Sequence, residues 1–266
     1  MAKDGISFDK YIDNPSGGTS VITNRKMYKD LYTSKFDKIL LRENGKIDFK
    51  VYKDNKSKDD SFYIHIKVPS EVIAKFYYDV VIHLSTVETT KKASTNLRQY
   101  QVKFFSNDPA FVYTFAHAFS EHHIFVEDLK PRMSKVALKS LAKTKNPTNQ
   151  IFYVKSLYFA YLTMEKYSLF NRINLNGLAE PYDKKILLNN ITNADIKIKE
   201  RQDAQEKLDK EERDRKRKEA AEKDRNRNIN HKTSSSKISK ITNVSKTSKI
   251  SKVSNTTRKT KIVGKS

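Results

Sequence analysis

The 14 phenylalanines and 14 tyrosines of this 266-residue chain all lie at or before Tyr182. A globular core needs large apolar side chains to offset the conformational entropy lost on folding. The core is therefore expected to end near Tyr182, and the residues beyond it must be helical without a core of their own, extended, or disordered. On this basis residues 1–22 are an N-terminal arm or loop and 23–182 the core domain; 183–228 are a linker and charged helix, and 229–266 a disordered tail.

Charge sharpens the division. Lys and Arg number 53 against 31 Asp and Glu, a formal net charge of +22. Residues 200–228 hold 11 bases and 10 acids, and residues 229–266 hold 10 bases and no acid. That leaves 32 bases and 21 acids in residues 1–199, so the last 38 residues carry nearly half the excess. Such a surplus favours polyanionic partners: nucleic acid, an acidic protein surface or an anionic membrane. There is no cysteine, which excludes disulfides, thiolate nucleophiles and Cys-ligated zinc. No run approaches the ~18 continuous apolar residues of a membrane-spanning helix. The N-terminus lacks an apolar stretch of signal-peptide length. A soluble chain with no membrane association and no standard export signal is expected.

The pattern up to Tyr182 predicts an α+β fold, an antiparallel sheet of about five strands followed by packed helices. Asn14-Pro15-Ser16-Gly17-Gly18 reads as a loop, and Thr23 as the cap of a short helix presenting Met27, Tyr28, Leu31 and Tyr32. Asn44-Gly45 supplies the two positive φ angles of a type I′ turn, so residues 39–43 and 46–52 read as a β-hairpin. Ile47, Phe49 and Val51 alternate with charge as in a half-buried strand. Further strands are expected over 62–68, 77–87 and 98–105, with one helical turn opened by Pro69. Ser106-Asn107-Asp108-Pro109 caps a helix over 110–121. A short extended piece at 124–126 follows; Pro131 starts a Lys-rich helix to Ala142, and Asn146-Pro147-Thr148 one from Gln150 to about Phe170. In the last, the polar positions Lys155, Ser156, Thr163 and Lys166 fall on one narrow stripe and nearly everything else is apolar, which predicts a helix buried on most sides or partly exposed as an interface.

Within residues 193–228 acids precede bases by four, as in Asp203–Lys207, Glu206–Lys210, Asp209–Arg213 and Glu212–Lys216. This is the favourable orientation on a helix. After Leu208 only Ala220 and Ala221 are apolar, too few for a coiled-coil seam, so a single solvated helix is expected. Residues 200–228 would span about 43 Å at 1.5 Å per residue.

From Ser236 the chain falls into triplets: Ser-Lys-Ile, Ser-Lys-Ile, Thr-Asn-Val, Ser-Lys-Thr, Ser-Lys-Ile, Ser-Lys-Val, Ser-Asn-Thr, Thr-Arg-Lys, Thr-Lys-Ile. Period three matches neither α-helix nor flat strand but does match polyproline II. The segment reads as a disordered cationic tail, or as one that docks an Ile/Val stripe while its bases meet an anionic surface. The candidate contacts with DNA or an acidic neighbour are Lys232, Lys237, Lys240, Lys246, Lys249, Lys252, Arg258, Lys259, Lys261 and Lys265.

Catalytic signatures are not found. His117, Glu121, His122 and His123 form the one His-rich cluster, but without a zincin spacing they read as helix-end residues, not metal ligands. His65 and His83 read as packing or surface residues. Gly264-Lys265-Ser266 lacks the earlier glycine of a phosphate-binding loop, since position 259 is Lys. No serine sits in a nucleophile elbow. No enzyme activity, cofactor or metal is expected. Bases interleave with aromatics over 46–53 and 100–105, as a single-strand-binding sheet requires, or as a sheet with one buried face produces.

Two stretches carry a resemblance: Tyr11-Ile-Asp-Asn-Pro-Ser-Gly-Gly-Thr-Ser-Val-Ile-Thr-Asn-Arg-Lys-Met-Tyr-Lys-Asp-Leu-Tyr and Phe104-Phe-Ser-Asn-Asp-Pro-Ala-Phe-Val-Tyr-Thr-Phe-Ala-His-Ala-Phe. They resemble structural proteins of tailed bacteriophages, and the Lys/Asn/Ile-rich usage is similar to phages of AT-rich Gram-positive hosts. The resemblance spans residues 5–175. It implies a virion component of the neck or head–tail connecting region, assembled in the host cytoplasm. The implied partners are capsid, portal, neck or tail proteins and further copies of the chain, with DNA a possible contact of the tail. A nucleic-acid-binding packaging accessory and a host-directed interaction protein are the alternatives.

Overall fold

The computed structural model describes residues 6–13, 22–56, 60–86, 95–142, 146, 148–151 and 154–241, the side chains of 22–28 and 226–241 apart. The chain divides into two units, Met1–Lys207 and Leu208–Ser266. Helices α1 (Phe8–Asp13) and α2 (Ile22–Arg42) lead into strands β1 (Phe49–Lys53), β2 (Ser61–Pro69), β3 (Tyr77–Ser85) and β4 (Gln101–Ser106). Helices α3 (Ala116–Glu121), α4 (Lys135–Lys139), α5 (Lys155–Lys166) and α6 (Arg172–Leu178) come next, then β5 (Ala179–Pro181), α7 (Lys184–Asn190) and α8 (Ala194–Ile241).

The class is α+β, as the pattern predicts, built on one five-stranded sheet in the order β4-β3-β2-β1-β5. The sheet is mixed, not antiparallel throughout, because β5 pairs parallel to β1. Side chains alternate between its faces. The register places Val51, Phe62, Ile64, Ile66, Val80, Ile82, Leu84, Val102 and Phe104 on one face, all buried. Burying each such side chain contributes about 1.5–3 kcal/mol. Helix α5 packs across β2, β3 and β4, and Phe8 of α1 lies 5.8 Å from both Phe104 and Tyr161. The other face carries Lys50, Tyr52, Ser61, Tyr63, His65, Lys67, Asp79, Val81, His83, Lys103 and Phe105.

Several boundaries differ from the sequence reading, each for a physical reason. Residues 6–13 are no arm: Phe8 and Tyr11 are buried, and Val102 N–H donates to Ile6 O at 2.9 Å. Residues 39–42 are helix, not strand; α2 continues through them because Tyr32, Phe36, Ile39 and Leu40 share one face, with Phe36 and Ile39 buried. Asn44 and Gly45 do take positive φ angles, 54° and 76°. They use them to end α2: Gly45 N–H donates to Leu40 O at 2.7 Å and Asn44 N–H to Leu41 O at 3.2 Å, a Schellman cap. The fifth strand is β5 instead, held by backbone pairing and by Tyr182 N–H donating to Lys53 O at 2.8 Å.

The core also runs past Tyr182, since Leu187, Ile191, Ala194 and Ile198 are buried in it. The helix after Asp108 forms with that side chain accepting from Ala110 N–H at 3.1 Å, its first turn a π-turn over Phe111–Phe115. Pro131 sits within a 3₁₀ segment, Glu127–Arg132, so α4 begins only at Lys135. Helix α5 begins at Lys155, later than Gln150, and is buried on most sides as expected. Residues 70–76 close as a loop without a helical turn, Ser70 N–H donating to Phe76 O at 2.7 Å.

Candidate functional site

The residues expected to touch an anionic partner fall in two groups. Lys232, Lys237 and Lys240 lie on the backbone of α8, which continues to Ile241 through the first part of the segment read as disordered. Lys246, Lys249, Lys252, Arg258, Lys259, Lys261 and Lys265 lie outside the described residues, as do the triplets from Thr242 onward.

The charged stretch of α8 is exposed at every side chain from Glu206 to Arg225. Of the acid-to-base pairs, Glu212–Lys216 closes at 2.8 Å, and Arg215–Glu219 pairs in the opposite sense at 3.7 Å. The hydrogen bond from Lys216 holds the Glu212 carboxyl below the usual range. Such pairs support a helix by about 0.2–0.5 kcal/mol each.

The second face of the sheet holds two carboxylate-centred clusters that no local motif announces. Asp79, 3% exposed at its side chain, accepts from His65 Nε2 at 2.9 Å through Oδ1. Its Oδ2 accepts from Asn107 Nδ2 at 2.9 Å and from Thr192 N–H at 3.0 Å. Asn107 Oδ1 in turn accepts from Asp79 N–H at 2.8 Å. Burial pushes the Asp79 carboxyl up, but the hydrogen bonds from His65 and Thr192, with Lys67 nearby, hold it below the usual range.

Asp128 is the second centre. Its Oδ2 accepts from the Tyr182 hydroxyl at 2.7 Å and the Tyr63 hydroxyl at 3.1 Å, and its Oδ1 from Lys184 Nζ at 2.6 Å. Tyr63 is sandwiched between Tyr182, at 4.1 Å, and His83, at 4.2 Å. Burial raises both phenols above their ordinary value. Burial, joined by the charge of Lys103, pushes His83 down to about 4. These clusters tie the sheet to the chain beyond it, and their carboxylates are already engaged as acceptors by groups from remote segments.

A cleft of about 390 Å³ is lined by Ser70, Glu71, Asp108, Lys155 and Arg201 among others. Its Glu71 is held by Lys35 and Lys155, each at 2.8 Å. The His-rich cluster does not converge: His117 Nδ1 donates to Leu138 O at 2.9 Å, and His122 Nε2 to Asn149 O at 3.1 Å. Among the described residues no group of three or more His, Asp or Glu is placed to hold a metal ion. Of the interleaved aromatics, Tyr52, Tyr100, Phe104 and Phe105 are buried and offer no platform for stacking bases, while Phe49 is half-buried and packs against Tyr167, with ring centres 5.0 Å apart.

Among the described residues no helix is long and apolar enough to cross a membrane. No family model, curated protein or solved structure matches the chain.

Proposed function

We propose that the chain is a non-enzymatic virion structural or assembly protein of a tailed bacteriophage, of the neck or head–tail connecting kind. Its folded domain self-associates or meets capsid, portal, neck or tail proteins. Its basic C-terminal residues contact DNA or acidic neighbours. The observation that carries this reading is α8: it starts with Ala194 and Ile198 in the core and continues without a break into a run of opposed charges. A folded body joined by one helix to a cationic terminus suits a component that anchors at one place and engages polyanions at another. The saturated hydrogen bonding of Asp79 and Asp128 supports a structural role for these two carboxylate networks. Mass spectrometry of purified particles tests the reading; absence of the chain from virions overturns it.

A DNA-packaging accessory is the second reading, favoured by the 10 bases and no acids of residues 229–266. Counterion release then drives binding, and deleting 229–266 flattens its salt dependence.

A further inference from the structure

Residues 183–198 lie on the second face of the sheet as α7, a break at 191–193 and the start of α8. Their near end is fixed, because Tyr182 N–H donates to Lys53 O at 2.8 Å and the Tyr182 hydroxyl to Asp128. Beyond Tyr182, the hydrogen bonds to the rest of the body among the described residues all involve a side chain. Lys184 Nζ donates to Asp128 Oδ1 at 2.6 Å, Arg132 Nε to Leu188 O at 2.9 Å and Asn190 Nδ2 to the Tyr52 hydroxyl at 3.0 Å. Leu187, Ile191, Ala194 and Ile198 supply the apolar hold. Strands β2 and β3, by contrast, are laddered together from end to end. Segments held by few contacts and no ladder belong to the less stable part of a fold.

The break between α7 and α8 sits on a buried polar node. Thr192 N–H donates to Asp79 Oδ2 at 3.0 Å, and Asn107 Nδ2 donates to the same oxygen at 2.9 Å and to Thr192 O at 3.1 Å. Asp79 and Asn107 are both buried. With the segment in place, each of these groups is paired. With it lifted away, water takes over the pairing. Part-way, the Asp79 carboxylate and the Thr192 carbonyl are dry and short of donors, which is costly. The node therefore favours two positions over a continuum.

We propose that residues 183–198 form a latched strap, which opens as a unit from the second face of the sheet while the sheet stays folded. The catch is the Asp79–Asn107–Thr192 node, and the hinge follows the fastened Tyr182. Opening bares Asp79 and the Tyr52 hydroxyl and frees Ala194 and Ile198, the buried start of α8, from the core. The device stands independently of the assembly reading.

The test is native-state hydrogen exchange of the full chain in stepped low urea, followed by mass spectrometry of peptides from 183–198 and from β2 and β3. The strap amides are expected to exchange together, at least tenfold faster than those of the two strands. Ile82→Val, on the opposite face, should speed the strand amides several-fold and leave the strap amides unchanged, since the sheet is intact when the strap opens. Asn107→Ala should speed the strap amides about tenfold. Arg132→Gln, at a half-buried position, loosens the same strap without touching the node. Strap amides that exchange with the strands, that respond to Ile82→Val as the strands do, or that are unchanged in both Asn107→Ala and Arg132→Gln overturn the proposal.

Discussion

The rings of Tyr63 and Tyr182 lie parallel, 4.1 Å apart and inclined by 7°, and both hydroxyls donate to the same oxygen of Asp128. The last aromatic residue of the chain is thus fastened to the second strand of the sheet. Removing its hydroxyl in Tyr182→Phe is expected to cost about 1 kcal/mol, and Tyr182→Ala about 3–4 kcal/mol, through lost stacking and burial. Urea midpoints of the two variants measure this. Equal midpoints would show that the ring contributes nothing beyond its hydroxyl.

A fragment of residues 1–207 should melt cooperatively with the midpoint of the intact chain. One ending at residue 182 should not, because it loses Leu187, Ile191, Ala194 and Ile198 from the core and the Thr192 N–H from Asp79. Leaving Asp79 short of a donor alone costs about 1–3 kcal/mol. Differential scanning calorimetry distinguishes the fragments, and two matching midpoints would return the boundary to Tyr182.

His83 makes stability fall with acid. Its folded value is about 4 against an ordinary 6.5, so between these pH values the unfolded chain binds a proton that the folded one refuses. Stability is constant above the window and declines as pH drops through it, by at most about 3 kcal/mol. Asp79 and Asp128 act below it: their depressed carboxyls contribute above the ordinary carboxylate value and lose that contribution as pH falls through the folded ones. His83→Phe should flatten the profile between pH 6.5 and 4 while leaving the steeper loss beneath it. A wild-type slope in that variant would assign the window to another group.

Gly45 tests the cap. It holds a φ of 76°, and a Cβ there meets nothing within 4 Å. Gly45→Ala is therefore expected to cost about 1–2 kcal/mol through backbone conformation alone, with no clash. Asn44→Gly, at a φ of 54°, should be neutral or slightly stabilising. Thermal midpoints of both variants decide it.

The elements legible in the sequence were those with an uninterrupted period. Phe62, Ile64, Ile66 and Val68 announce β2 by alternation, and the apolar girth of α5 announces its burial. Asn44-Gly45 was legible as a pair of positive φ angles but not as to which element they end, since a hairpin and a helix cap ask for the same residues. The deciding signal was Tyr32, Phe36, Ile39 and Leu40 upstream, spaced for a helix. Leu187, Ile191, Ala194 and Ile198 carry helical spacing too, but a boundary drawn on aromatic rings passes over aliphatic contributors. Strand β5 has three residues and no period; backbone pairing with β1 alone defines it. The environments of His65 and Asp79 were hidden for another reason. Asn107 and Thr192 reach them from outside their strands, and a charged residue within an apolar strand reads as solvent-facing until those donors are placed.

Ala194 and Ile198 are embedded in the globule, and this changes the physics of everything beyond them on α8. Starting a helix in water is the unfavourable step, while extending one is nearly neutral. The globule supplies that start as a ready-made template, so a stretch rich in like-sized opposing charges grows from an ordered seed. Melting the globule should therefore unwind the charged stretch as well.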